Sequence, residues 1–470
     1  MPTNSRPGTV LDLPLRLLPD AGNQPRQIHA AIRDAILRGQ LAPGLRLPST
    51  RALAQQLGVA RGVVVVAYEH LLGDGLVEAR TGAGTYVSEG IKARPQPAAV
   101  APAIAVPVRA ACALGNTTVS GSLLSRLGIA MRRRIAEAGP DDLFIGDPRG
   151  TRALREQIAQ HLAASRGFRA DPDCIVIVGS VQQGLRLCAE ALFAPGDAIW
   201  VEDPGYPSTH ATLRAGGLHL VATPIDEGGL RVEAGRARAP HAKAAYVTPS
   251  NQFPTGVSMP LSRRFALLDW ARAAGAWILE DDYDNEFRYD GPPLTALAGL
   301  DGGERVIYFG TFSKTLFASL RLAYLVVPPA ILARVVAVRA GHDRFPCTAV
   351  GGAVADLMAD GTLAAHVRRV RKLYRAARET LAASLEEFAG PHLHVVKPAQ
   401  GLHLIAYLAK AKAEAAGAIR ARAGIEAWLI GETRLESRGP DGFILGFAGH
   451  AASDLRQAAR DLGVALSSRR

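Results

Sequence analysis

Ile28, Ile32 and Ile36 recur at every fourth position and draw one apolar face along a first helix. Gly44 and Pro48 interrupt that pattern, and Ser49 then stands where a helix N-cap is expected. Leu53 and Leu57 mark the inner face of a second helix that ends at Gly58. Val64, Ala67, Tyr68 and Leu71 follow at the i, i+3, i+4, i+7 spacing of a third. The result is helix, tight turn, helix, with Gly62, Val65 and Glu69 turned outward and Arg61 at the amino end of the last helix. Residues 76–80 and 85–87 then read as two short strands flanking Thr81-Gly82-Ala83-Gly84, a hairpin wing.

Beyond the wing the pattern changes. Residues 95–108 are rich in Pro and Ala and carry no charge, the composition of a semi-extended linker. Helical stretches then alternate with apolar runs at 175–178, 198–201, 244–247, 277–279, 306–309 and 322–327, which predicts an α/β unit with a mainly parallel sheet. From about residue 336 a long basic helical stretch and later strands predict a small α+β domain. The division expected is a mainly α head at 24–90, a linker at 91–119 and a body at 120–470, its large part reaching about 335.

The chain has 470 residues, which at roughly 150 per domain fits about three folding units. Hydrophobic residues make up 48% and charged ones 21%, so wholesale disorder is excluded. A net charge of +11 makes an acidic partner such as nucleic acid a reasonable expectation. Cys112, Cys174, Cys188 and Cys347 are widely spaced, so neither a zinc site nor a disulfide framework is expected and a reducing, cytoplasmic setting fits. Apolar runs are short or broken by proline, so no signal peptide or membrane span is expected.

The chemistry concentrates at strand ends. Thr311-Phe312-Ser313-Lys314 sits between two strands, and desolvation there lowers a lysine's pKa and readies its amine for imine formation. Glu280-Asp281-Asp282-Tyr283 places carboxylates directly after a buried strand, where one can face a protonated pyridine nitrogen. Gly179-Ser180-Val181-Gln182-Gln183 opens a helix after a strand, a setting whose free N–H groups suit a phosphate. Tyr206 closes a further strand and can flank a flat ring.

Gly44-x-x-Leu-Pro-Ser-x-Arg-x-Leu-Ala54 resembles the hallmark of the GntR family of winged-helix regulators. That resemblance implies that Ser49, Arg51, Arg61 and Gly62 at the helix starts, and Thr81, Gly82 and Gly84 in the wing, meet double-stranded promoter DNA. The second half resembles the fold-type-I pyridoxal-phosphate aminotransferases. By that resemblance Lys314 forms the internal aldimine, Asp281 pairs with the pyridine nitrogen, Tyr283 bonds the ring hydroxyl and Tyr206 flanks the ring. Ser180, Val181, Gln182, Thr311, Ser313 and Arg321 hold the phosphate. The combination is similar to the MocR branch, whose members imply a head-to-tail homodimer and an effector that is pyridoxal phosphate, an amine or an amino acid.

Ala318, Ser319 and Ala323 depart from the aminotransferase pattern around the lysine by small swaps compatible with cofactor binding, and two further departures bear on activity. Phe253 stands where such enzymes place an Asn before Pro-Thr-Gly, which leaves Asn251 as a substitute partner for the ring hydroxyl, and Ile444 stands where a late strand offers an arginine to the substrate carboxylate. Without that clamp ordinary amino-acid turnover loses its main orienting contact. The expected protein is therefore a regulator whose enzyme-like domain senses a ligand; a working transaminase with an accessory DNA-binding module is the alternative. Arg368, Arg369, Arg371, Lys372, Arg375 and Arg378 are expected to form a basic helical stripe, either solvated or facing DNA or a second subunit.

Overall fold

A computed structural model describes residues 23–91, 110–409 and 413–467, which fall into two compact units divided between residues 106 and 107. Residues 95–108, the core of the expected linker, lie outside the described residues.

The first unit consists of helices Gln24–Leu37, Thr50–Leu57 and Arg61–Gly73, followed by β1 (Val77–Arg80) and β2 (Gly84–Val87). Ile28, Ile32, Leu53, Val64, Ala67 and Leu71 are all buried in one core, as the helical spacing requires. Ser49 caps the second helix, its hydroxyl accepting from the Ala52 amide at 3.2 Å. The buried Tyr68 hydroxyl donates to the Pro48 carbonyl at 2.8 Å and fixes the turn ahead of that cap. β1 and β2 pair antiparallel with Val77 opposite Val87 and Arg80 opposite Gly84.

The second unit is built on an eight-stranded sheet. Its strands are β3 (Ile175–Val178), β4 (Ala198–Asp203), β5 (His219–Asp226), β6 (Gly229–Leu230), β7 (Ala244–Val247), β8 (Trp277–Asp281), β9 (Val306–Thr311) and β10 (Ala323–Val326). They lie in the order β3-β10-β9-β8-β7-β4-β5-β6. The pairs from β9 through β8, β7 and β4 to β5 are parallel, whereas β10 runs antiparallel between β3 and β9 and β6 turns back on β5. Both faces of the sheet are covered, which is why strands such as Ile175–Val178 and Ala244–Val247 read as unbroken apolar runs. β5 was not visible as a strand in the sequence, because its half-buried residues include Pro224 and polar ends and give no clear period.

A 28-residue helix, Thr362–Ala389, leads into an antiparallel sheet of β11 (Leu393–Val396), β12 (His403–Leu408), β13 (Trp428–Leu429) and β14 (Gly442–Gly446), ordered β11-β12-β14-β13. Val367, Val370 and Tyr374 face inward, as expected, but the basic stripe is not uniform. Arg378 is buried and donates to Asp290, Glu379 and the Pro398 carbonyl, and Arg371 donates to the Glu286 carbonyl. Arg378 fastens the long helix to the loops at Asp290 and Pro398 and is not part of a free surface, whereas Arg371 stays exposed while bonding to the Glu286 carbonyl.

Residues 110–119, the last part of the expected linker and beyond its Pro/Ala-rich run, belong structurally to the second unit. Cys112 is buried in the small domain's core, and the Gly446 amide donates to its carbonyl at 2.9 Å. A Cβ on Gly446 would lie 2.4 Å from the Ala113 carbonyl oxygen, so the glycine is what lets the two backbones touch. Among the described residues no helix is long and apolar enough to cross a membrane.

Candidate functional site

Strand alternation decides what the acidic run after β8 can do. Successive side chains point to opposite faces, so Glu280 and Asp282 share one side and Asp281 takes the other. Glu280 accepts from the Leu297 and Ala298 amides at 2.7 and 2.8 Å, capping a short helix. Asp282 accepts from the Tyr308 hydroxyl at 2.5 Å and pairs with the buried Arg166 guanidinium at 2.6 Å. Those two carboxylates are structural. Asp281 instead faces a cavity of about 260 Å³ that is also lined by Lys314, Tyr283, Tyr206, Ser180 and Arg321.

One oxygen of Asp281, Oδ2, accepts from the Tyr246 hydroxyl at 2.6 Å, and the other, Oδ1, is buried without a partner among the described residues. Burial pushes this carboxyl up to about 7 against the pull of Tyr246 and Lys314. Burial also lowers the Lys314 amine, opposed by the Asp284 and Asp281 charges. A buried carboxylate oxygen without a donor, facing a lysine of lowered pKa, fits a protonated ring nitrogen on one side and an aldehyde carbon on the other.

The other end of the cavity fits an anion. Ser180 caps the helix Val181–Leu192 and accepts from the Gln183 amide at 3.1 Å, while the amides of Val181 and Gln182 have no intrahelical partner. Thr311 and Ser313 line the same space, the Ser313 amide donating to the Thr311 hydroxyl at 3.1 Å. Arg321 holds a left-handed backbone with φ of +53°, a conformation uncommon for a residue with a side chain. A Cβ on Gly179 would lie 3.7 Å from the Arg321 carbonyl oxygen, so Arg321 and the Ser180 turn are neighbours.

Asn251 is the expected residue that the structure moves off the cavity wall. Its amide nitrogen donates to the Tyr283 hydroxyl at 3.1 Å and to Asp284 at 2.7 Å, so it positions Tyr283 from behind. Phe253 lines the cavity itself. Ile444 is fully buried in β14, packed with Phe253, Ile405 and Ile430.

Several lining residues were not singled out in the sequence. Tyr246 comes from β7, Trp428 from β13, His403 from β12, and Leu114 and Gly115 from the segment ahead of the large domain. A Cβ on Gly115 would sit 3.8 Å from Lys314 Nζ. Only the aromatic ring of Tyr246 in an otherwise aliphatic strand offers a signal that could have been used.

In the first unit, Arg51 is exposed on the second helix, and the Arg61 guanidinium donates to the Thr50 hydroxyl at 3.3 Å, joining the starts of the second and third helices. A Cβ on Gly62 would meet open space. Gly82 and Gly84 take φ of +74° and +116°, and Thr81 is exposed beside them. Arg46 was overlooked: its segment runs along β2, with the Leu47 amide on the Thr85 carbonyl, and a Cβ on Gly84 would lie 3.1 Å from its guanidinium. Arg46, Arg51 and Arg61 therefore supply three exposed positive charges from this unit.

Four buried carboxyls, Asp281, Glu202 and Glu280 at about 7 and Asp284 at about 8, are raised chiefly by desolvation. An unfolded chain releases these protons near pH 4, whereas the folded chain holds them to pH 7 or 8, so between those limits the folded state binds more protons. Their contribution therefore falls as pH rises. The melting temperature of cofactor-free protein is expected to be lower at about pH 8 than at about pH 5, and Asp281→Asn should flatten the difference. A variant with the same or a steeper fall would show that Asp281 does not hold its proton.

The fold and this cavity define a class I and II aminotransferase domain behind a small DNA-binding head. The family model "Aminotransferase class I and II" matches residues 118–462, and "Bacterial regulatory proteins, gntR family" matches residues 24–87. The chain belongs to the MocR-type regulators, in which these two domains are joined. It is 32% identical to the probable rhizopine catabolism regulatory protein MocR of Rhizobium meliloti, over 93% of this chain and 92% of that one. It is likewise 32% identical to the HTH-type pyridoxine biosynthesis transcriptional regulator PdxR of Corynebacterium glutamicum, over 97% and 99%. Among solved structures it is similar to an archaeal alanine:glyoxylate aminotransferase, with a TM-score of 0.69 and 24% identity over 76% of this chain and 90% of that one. An alpha-aminoadipate aminotransferase from Thermus thermophilus, complexed with N-(5′-phosphopyridoxyl)-L-leucine, gives 0.68 and 25% over 76% and 91%.

Proposed function

We propose that this chain is a one-component transcriptional regulator that binds promoter DNA through its head and senses pyridoxal phosphate, an amine or an amino acid through its aminotransferase-like body. The observation that carries this reading is the presence, in one chain, of a winged helix with exposed arginines and a cavity in which Lys314 faces Asp281. The cofactor is pyridoxal 5′-phosphate, which when bound supplies an aldehyde that condenses with primary amines and a ring that withdraws electrons from the product.

The chain's own residues divide the work. Lys314 supplies the amine that holds the cofactor, and Asp281, kept in place by Tyr246, offers Oδ1 to the ring nitrogen. Tyr283, positioned by Asn251, faces the ring hydroxyl, and Tyr206 flanks the ring. The amides of Val181 and Gln182, with Ser180, Thr311, Ser313 and Arg321, receive the phosphate. In the head, Arg51 and Arg61 contact phosphates or base edges, Ser49 and Gly62 shape the helix starts, and Thr81, Gly82 and Gly84 bring the wing backbone to the minor groove. The head spans 24–90 and the body begins near residue 110, ten residues before the boundary expected at 120. A cytoplasmic homodimer, head to tail, completes the proposal and favours repeated operator half-sites.

The test joins both halves. DNA from upstream of the chain's own gene should shift in a gel with the purified protein, and cofactor or amine should change its affinity. Keto-acid production from common amino donors should stay far below a typical enzyme rate of about 10 per second. Rapid turnover together with no promoter binding would restore the transaminase reading.

A further inference from the structure

One wall of the cavity is aromatic. The Tyr206 and Trp428 rings are parallel to within 7° with centroids 6.0 Å apart, and Phe253 stands nearly perpendicular to both, at 5.1 and 6.1 Å. Leu114 and Leu402 line the same space. Charge is almost absent from this wall. Among the described residues, the cationic side chains that line the cavity are Lys314, which the cofactor occupies, and Arg321, beside the Ser180 turn at the phosphate end. His403 adds none, because burial pushes its ring down to about 4 against the upward pull of its bond to the Pro254 carbonyl at 2.9 Å. Behind the wall, Ile444 is packed among apolar neighbours.

We propose that this wall selects a primary amine bearing an aromatic or apolar substituent and no carboxylate, an inference that rests on the cofactor reading above. A carboxylate brought against Phe253, Trp428 and Leu402 would lose its water and gain no counter-charge from the described residues of its own chain. A flat apolar group gains ring contacts on three sides. The incoming neutral amine would form a C=N double bond to the cofactor carbon that Lys314 holds as the double bond from that carbon to Lys314 Nζ breaks. The two hydrogens given up by the incoming nitrogen pass to Nζ, which leaves as a neutral primary amine, and no oxidant or water is consumed.

The experiment compares 2-phenylethylamine with L-phenylalanine, which differ by the carboxylate, and with methylamine, which lacks the ring. Full-length protein loaded with pyridoxal phosphate is titrated while cofactor absorbance and tryptophan fluorescence are followed, with Trp428→Phe identifying the responding indole. 2-Phenylethylamine should act at a concentration at least about tenfold lower than either comparison, because each of those forfeits one of the two features of the wall. Trp428→Ala should reduce that advantage over methylamine. Phenylalanine acting at an equal or lower concentration, or methylamine matching 2-phenylethylamine, would overturn the inference while leaving the cofactor reading intact. Failure of borohydride to fix any cofactor to the wild-type chain would overturn both.

Discussion

Borohydride treatment of the wild-type chain loaded with pyridoxal phosphate should leave the cofactor covalently attached, and the same treatment of Lys314→Ala should leave none. The expectation follows from the site's composition, since Lys314 is the lysine that lines the cavity and burial keeps its amine closer to the neutral, nucleophilic form. The loss should be essentially complete, because alanine offers no nitrogen to the aldehyde. Noncovalent binding should survive in part, since the helix start at Ser180 and the Oδ1 atom of Asp281 are untouched. Reduced cofactor on the variant, located by peptide mass, would assign the role to another lysine.

The second large effect is expected on DNA. Arg51→Ala and Arg61→Ala should each weaken operator binding by about 1–3 kcal/mol, roughly 5- to 150-fold, without altering cofactor absorbance. Arg51 is exposed, so its loss removes a charge without disturbing the core. Arg61 also bridges to Thr50, and the conservative Arg61→Lys, which keeps charge but loses the planar fork, separates a phosphate contact from a base-edge contact. A phosphate contact tolerates the lysine, whereas a base-edge contact does not. Undiminished mobility shifts for both alanine variants at moderate salt would place the docking face elsewhere.

The head was legible in the sequence because its contacts are local: Ile28, Ile32 and Ile36 lie on one helix, and Ser49 caps the turn three residues on. Strands β3, β4, β7, β8, β9 and β10 were legible because both their faces are buried. Lys314 and Asp281 stood out by residue type at strand ends. What surrounds them did not, because it is assembled across long distances in the chain: Tyr246 reaches Asp281 from 35 residues away, and Tyr206 meets Trp428 from another domain. Asp203 shows the same limit, since its carboxylate accepts from the amides of Leu435, Glu436 and Ser437, a partnership that no local pattern encodes. The linker was drawn too long for a related reason. Composition cannot show that Gly446 leaves room for residues 112 and 113 to lie against β14.

That strap of chain has a mechanical meaning. Leu114 and Gly115 border the cavity, and just before them residues 112 and 113 lie against β14 at Gly446. A ligand whose contact with Leu114 depends on that seating is held by it, and by reciprocity such a ligand holds residues 112–115 against β14 by the same factor. Occupancy of the cavity and seating of this strand of chain are two readings of one equilibrium.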